Sequence, residues 1–134
     1  MSRLTHLRIL VVEDEPLIAL EIEDVLLQLG YEVVGPVARL AQALELARST
    51  PLDGALLDVT VKDGFVYPVA VELQKRNVPI IFSTGYAPET LPPTFRTLPW
   101  LRKPFSTKQL EAIILATFGP RQIGSNTPIE SKGT

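Results

Sequence analysis

The chain contains no cysteine and only one histidine, His6. Without thiols there is no disulfide framework, no thiolate zinc site and no cysteine nucleophile. A lone imidazole builds neither a histidine-rich metal centre nor a two-histidine zinc motif. Positive charge is not in excess: 13 Lys and Arg stand against 15 Asp and Glu, a net charge of −2. Such a balance gives no basic face for direct nucleic-acid binding. Long apolar runs are missing too. Nothing approaches the ~20 residues of a membrane span. The run from Ile9 to Val12 stops at Glu13, too short for a signal peptide despite Arg3 and Arg8 ahead of it. These absences point to a cytoplasmic protein with no membrane partner.

What is present suits one folded domain. The 134 residues are 46% hydrophobic and 21% charged, a globular composition at a length that hides about two-thirds of the unfolded surface. Short β-branched runs alternate with longer amphipathic stretches. The runs are Leu7 to Val12, Glu32 to Val34, Gly54 to Leu57, Val78 to Phe82 and Trp100-Leu101. Between them, Ile18, Ile22, Val25, Leu26 and Leu29 recur at helical spacing before Gly30. Leu40, Ala43, Leu44 and Ala47 form a second helical face, ended by Ser49-Thr50-Pro51. Val66, Val69, Ala70 and Leu73 form a third, with Pro68 expected in its first turn. Ser106 and Gln109 have capping-box spacing ahead of Leu110, Ile113 and Ile114, and Gly119-Pro120 closes that last helix.

Strands alternating with helices predict a parallel sheet covered on both faces, with continuously apolar strands fully buried. Five strands and about five helices would fill the chain to residue 119. One segment resists. Pro88, Pro92, Pro93 and Pro99 crowd the interval where a fourth helix is due, so a short or broken turn is expected there. A domain over 5–119 and a flexible tail over 120–134, rich in Gly, Pro, Ser and Thr, complete the expected organisation.

The polar residues that end the buried runs carry the chemistry. The first run meets Glu13-Asp14-Glu15, the third Asp58, the fourth Ser83-Thr84-Gly85 and the fifth Arg102-Lys103-Pro104. In an open parallel sheet the carboxyl ends of the strands share one edge, where ligands bind. Glu13, Asp14, Asp58, Thr84 and Lys103 can therefore meet in one cleft. Clustered carboxylates repel unless a cation compensates, and an all-oxygen donor set favours Mg²⁺. A carboxylate, Mg²⁺, a lysine and a hydroxyl make a phosphoryl-transfer site, in which the carboxylate attacks phosphorus and the cations neutralise charge. Taken singly, each residue has a plainer reading: a helix-dipole complement before Pro16, a turn aspartate, a loop hydroxyl, a surface lysine. His6 reads as exposed and idle. The joint pattern is what resists chance.

These residues resemble the receiver domain of two-component response regulators, a CheY-like, flavodoxin-like doubly wound fold of five parallel strands in the order 2-1-3-4-5. The resemblance covers roughly Leu7 to Phe118. It rests on Ile9-Leu10-Val11-Val12-Glu13-Asp14-Glu15-Pro16, Leu56-Leu57-Asp58, Pro79-Ile80-Ile81-Phe82-Ser83-Thr84-Gly85 and Lys103-Pro104-Phe105 in that order. It implies a regulatory switch, not an enzyme. Asp58 would be the phosphoacceptor, serving a histidine kinase or a histidine phosphotransfer protein. Asp14 and Asp58 would ligate Mg²⁺ directly, Glu13 through water, and Thr60 through its backbone carbonyl. Lys103 would contact the phosphoryl oxygens, Thr84 would move its hydroxyl toward them, and the Lys103-Pro104 bond would be cis. Asp58, Lys103 and Thr84 thus form the reacting set.

Trp100 stands where the family usually carries a switching Tyr or Phe, and is equally readable as simple burial. The prolines replace the fourth helix, part of the usual dimer face, which implies a monomer or weak homodimer. Phe82-Ser83-Thr84-Gly85-Tyr86 is similar to the Phe-Ala-Thr-Gly-x-Tyr motif of an alphaproteobacterial single-domain subfamily, some of whose members act in stress-response phosphorelays. The expected protein is a stand-alone phosphoprotein switch that binds a downstream protein partner. Two other functions fit less well. An aspartyl-nucleophile phosphatase would need a second Asp where Thr60 stands. A pseudo-receiver binding module would not need the intact acidic, hydroxyl and lysine set.

Overall fold

The computed structural model describes residues 6–119; the expected domain start at residue 5 and the expected flexible tail over 120–134 lie outside the described residues. The elements run β1 (Arg8–Val12), α1 (Pro16–Gln28), β2 (Glu32–Val37), α2 (Leu40–Ser49), β3 (Gly54–Asp58), β4 (Thr60–Val61), β5 (Gly64–Phe65), α3 (Tyr67–Lys75), β6 (Ile80–Thr84), β7 (Trp100–Arg102) and α4 (Thr107–Phe118). Between β6 and β7 lie two single-turn 3-10 helices, Pro88–Thr90 and Pro93–Phe95.

The main sheet has the order β2-β1-β3-β6-β7, every pairing parallel. Leaving out the two-residue strands β4 and β5, this is the order 2-1-3-4-5 of a flavodoxin-like fold. Every residue of β3 and β6 is buried, which is why these strands read as unbroken apolar runs. The pleat sends alternate side chains to opposite faces. On one face Ile9, Val11, Leu56, Ile81 and Leu101 pack under Ile22, Val25 and Leu26 of α1 and Leu110 and Ile114 of α4. On the other, Leu10, Leu57, Ile80 and Phe82 pack under Ala43 and Ala47 of α2, Val69, Ala70 and Leu73 of α3, and Leu91 and Phe95 from the proline-rich segment.

Local signals behave as their chemistry requires. Pro16 starts α1 and Pro68 sits in the first turn of α3, where a missing N–H costs nothing. Ser106 and Gln109 form a reciprocal capping box on α4. The expected fourth helix is reduced to the two 3-10 turns, so four α-helices, not five, form among the described residues.

Three features depart from the sequence reading. β2 does not stop at Val34 but continues to Val37 through a bulge: Leu10 pairs with Val34 and Val12 with Val37. Gly35 adopts φ +101° there, and a β-carbon would sit 2.9 Å from the Val11 carbonyl oxygen; only glycine fits. The Gly35-Pro36 bond is cis, as is Lys103-Pro104. The antiparallel pair β4–β5, Thr60 with Phe65 and Val61 with Gly64, was not anticipated. His6 is exposed but not idle, since its Nδ1 pairs with the Gly30 carbonyl at 2.6 Å. Among the described residues, no helix is long and apolar enough to cross a membrane.

Candidate functional site

The carboxyl edge of the sheet gathers the residues that sequence position keeps apart. Glu13 and Asp14 follow β1, Asp58 ends β3, Thr84 ends β6 and Lys103 follows β7. The bulge in β2 places the Val37 carbonyl to accept the Glu13 amide at 3.0 Å, fixing where the acidic turn begins. The Thr84 carbonyl accepts the Lys103 amide at 2.8 Å and fixes the root of the lysine.

Glu13, Asp14 and Asp58 each offer an oxygen within 4.8 Å of the others. The Lys103 ammonium reaches in from the side. It donates to Glu13 Oε2 at 3.2 Å, Asp58 Oδ2 at 3.3 Å and Glu15 Oε1 at 3.3 Å. Glu13 Oε1 lies 3.0 Å from the same nitrogen yet makes no hydrogen bond, although it is fully buried. The site thus holds more anionic capacity than one lysine satisfies. Burial first, and then the Glu13 charge, push the Asp58 carboxyl up to about 7, with Lys103 opposing. Burial alone would lower the Lys103 ammonium, but its hydrogen bond to Glu13 and the Asp58 charge override this and raise it. Hard oxygen donors, an orphaned buried carboxylate oxygen and a residual negative charge fit a small divalent cation such as Mg²⁺. Glu13, Asp14 and Asp58 are the side chains that would hold it.

The other expected residues take distinct places. Thr60 is exposed at the start of β4, and its amide points at Asp58 Oδ1 across 3.4 Å. Thr84 is buried, and its hydroxyl oxygen accepts the Tyr86 amide of its own turn at 3.0 Å. Trp100 is half-buried in β7, paired in register with Phe82 and packed on the face of α2 and α3. The strand β6 separates it from β3, which carries Asp58.

The sequence reading missed Glu15 as a partner of Lys103, although it stands in the same acidic run. It also missed Asp63, whose carboxylate accepts the Leu40 amide at 3.0 and 3.2 Å and caps α2 from the β4–β5 turn. Nothing in the sequence links residues 40 and 63. Beside the acidic turn, α1 exposes Leu17 and Leu20, with Leu17 82% exposed.

With this geometry in hand, the relatives are informative. The chain matches the response regulator receiver domain family over residues 9–115. It is 35% identical over 111 residues to the phyllosphere-induced regulator PhyR of Methylorubrum extorquens, covering 79% of this chain and 41% of that protein. It therefore spans well under half of that relative. The solution structure of SdrG from Sphingomonas melonis Fr1 superposes with a TM-score of 0.73 at 38% identity, covering 83% of this chain and 95% of SdrG. The receiver domain of the sensor histidine kinase PA1611 from Pseudomonas aeruginosa PAO1 superposes with a TM-score of 0.69 at 29% identity, covering 86% of this chain and 99% of that one. That structure has a magnesium ion coordinated in its active site cleft.

Proposed function

The chain belongs to the response regulator receiver family, and from that premise we propose that it is a Mg²⁺-dependent phosphoryl-accepting switch with Asp58 as acceptor. One observation carries this reading: a strand-end aspartate, 5% exposed, faces two further carboxylates and a lysine ammonium 3.3 Å away. The donor is a phosphohistidine on a histidine kinase or histidine phosphotransfer protein. An Asp58 carboxylate oxygen attacks phosphorus, the P–N bond to the donor imidazole breaks, and an acyl phosphate forms.

Asp14, Asp58 and the Thr60 carbonyl would hold the metal, with Glu13 acting through water, and it would supply charge neutralisation at the phosphoryl oxygens. Lys103 supplies a second positive charge from the opposite wall. The Thr84 hydroxyl, released from the Tyr86 amide, donates to the new phosphoryl group. Trp100 reports or follows that movement from the next strand. The exposed Leu17 and Leu20 of α1, adjoining the acidic turn, offer the apolar footing a protein donor needs. The match to SdrG, of whose solved chain this one covers 95%, supports reading 5–119 as a receiver that can stand alone, and we place its action in the cytoplasm through binding of a protein partner. With no full helix between β6 and β7, it works as a monomer or weak homodimer.

Incubation with a small phosphodonor and Mg²⁺, followed by intact mass, tests the reading. One phosphoryl group is expected on the native chain and none on Asp58→Asn. An undiminished mass shift in the variant would place the acceptor elsewhere.

A further inference from the structure

Lys103 has three N–H bonds and three carboxylate partners. Two of those partners, Glu13 and Asp58, belong to the set that could hold a cation, and the third, Glu15, does not. Glu15 occupies the N-cap position of α1, where a carboxylate would ordinarily accept an amide of the first turn. Its side chain makes no such bond; it reaches across to Lys103 instead. Its main chain is fixed at both ends. The Glu15 amide donates to Glu13 Oε2 at 3.1 Å, and its carbonyl accepts the Ala19 amide at 2.9 Å. The Glu15 side chain is 61% exposed, whereas the Lys103 side chain is 16% exposed. Glu15 is thus a fixed post at the rim of the site with its charged end in water.

We propose that Glu15 is a positioning residue for Lys103: it holds the ammonium toward the rim and keeps a partner for it when a divalent cation takes over Glu13 and Asp58. The proposal rests on the magnesium reading of the acidic cluster. A metal ion and the Lys103 ammonium compete for the same two carboxylates. An ammonium that must retreat into water to make room resists the metal more than one that retreats onto Glu15. Once the metal is in place, the same post leaves Lys103 at the mouth of the site, on the side from which an incoming phosphoryl group must approach. A carboxylate acting only by its overall field would also favour a cation, but it would do so whether or not Lys103 were present.

A double-mutant cycle separates the two. Mg²⁺ affinity is measured by isothermal titration calorimetry on the native chain, Glu15→Gln, Lys103→Met and the double variant, with Lys103→Gln as a second lysine replacement should the methionine variant fold poorly. Glu15→Gln is expected to weaken Mg²⁺ binding about two- to five-fold, the reach of one exposed ion pair, and to have almost no effect in either lysine variant. Glu15→Asp keeps the charge but shortens the arm by one methylene, and is expected to behave like Glu15→Gln. In the metal-free protein, the Lys103 ammonium signal in ¹⁵N-resolved spectra should shift in Glu15→Gln. An undiminished effect of Glu15→Gln without the lysine, or a Glu15→Asp variant indistinguishable from the native chain, would overturn the positioning role and leave the magnesium reading standing. A native chain that binds no Mg²⁺ at all would overturn both.

Discussion

The two faces of the sheet are closed in different ways. On one, α1 and α4 lie over Ile9, Val11, Leu56, Ile81 and Leu101 as helices of 13 and 12 residues. On the other, α2 and α3 cover only part of the sheet, and the rest lies under single-turn 3-10 pieces. What replaces helical hydrogen bonding there is a run of aromatic rings. Phe65 stacks on Tyr67 and Tyr67 on Phe95, each with centroids 5.6 Å apart, and Phe95 meets Phe82 edge-on at 5.5 Å. Arg96 adds a side-chain bond to the Leu91 carbonyl at 2.9 Å. One face is held throughout by helices with apolar stripes; part of the other depends on individual side chains. Regions held by few backbone hydrogen bonds open at lower free energy, and this one joins Thr84 to Trp100.

The largest expected effect comes from removing the ring on which the second face turns. Phe95→Ala should cost about 3–4 kcal/mol, and hydrogen exchange should show residues 86–98 losing protection before the global transition. If that segment in the native protein already exchanges only by global unfolding, as slowly as α4, the contrast between the faces is wrong.

A smaller effect tests whether the site strains the edge where the faces meet. Asp58 titrates near 7 when folded and near 4 when unfolded, so the folded chain binds more protons between those values. Stability of the metal-free protein should therefore fall as pH rises from about 4 to 7 and stay low above. Asp58→Asn should remove this slope and gain about 2 kcal/mol at pH 7.5 after allowance for water at the rim. Mg²⁺ should narrow the gap by stabilising only the native chain. Urea titrations across this pH range check the sign, and a flat native profile would contradict it.

The smallest effects compare caps on opposite faces. Ser106→Ala on α4 and Asp63→Ala on α2 should each cost about 1 kcal/mol. Only Asp63→Ala should also loosen the β4–β5 turn, since its cap bridges two elements. Equal exchange of Lys62 and Gly64 amides in both variants would reduce Asp63 to an ordinary cap.

Much of this arrangement was legible in the sequence because it is written in local periodicity. Buried strands must be continuously apolar, amphipathic helices must repeat, and Ser106 with Gln109 announces a helix start. The strand-end rule then put Glu13, Asp14, Asp58 and Lys103 on one edge, where the structure brings them together. What stayed hidden has no local signature. Strands of two residues show no period, so β4–β5 gave no signal. Gly35-Pro36 looked like the end of a strand because both residues usually end one, whereas here they make its bulge. Thr84 was placed on the right edge, but the bond between its hydroxyl and the Tyr86 amide depends on a turn geometry that residue types alone do not fix. Glu15 and Asp63 act across 88 and 23 residues, distances at which side-chain reach is a property of the fold.

The bulge in β2 bears on how copies of this protein coexist. β2 and β7 are the two outer strands of the sheet, and an outer strand with free amides and carbonyls is a template for a neighbour. In β2, Gly35 and Pro36 break the register, and Pro36 has no amide to offer. β7 has three residues between Pro99 and Pro104, with Arg102 exposed at its end. Among the described residues, both margins of this sheet are thus poor templates for a further strand, which works against chain-to-chain sheet extension where many copies are concentrated together.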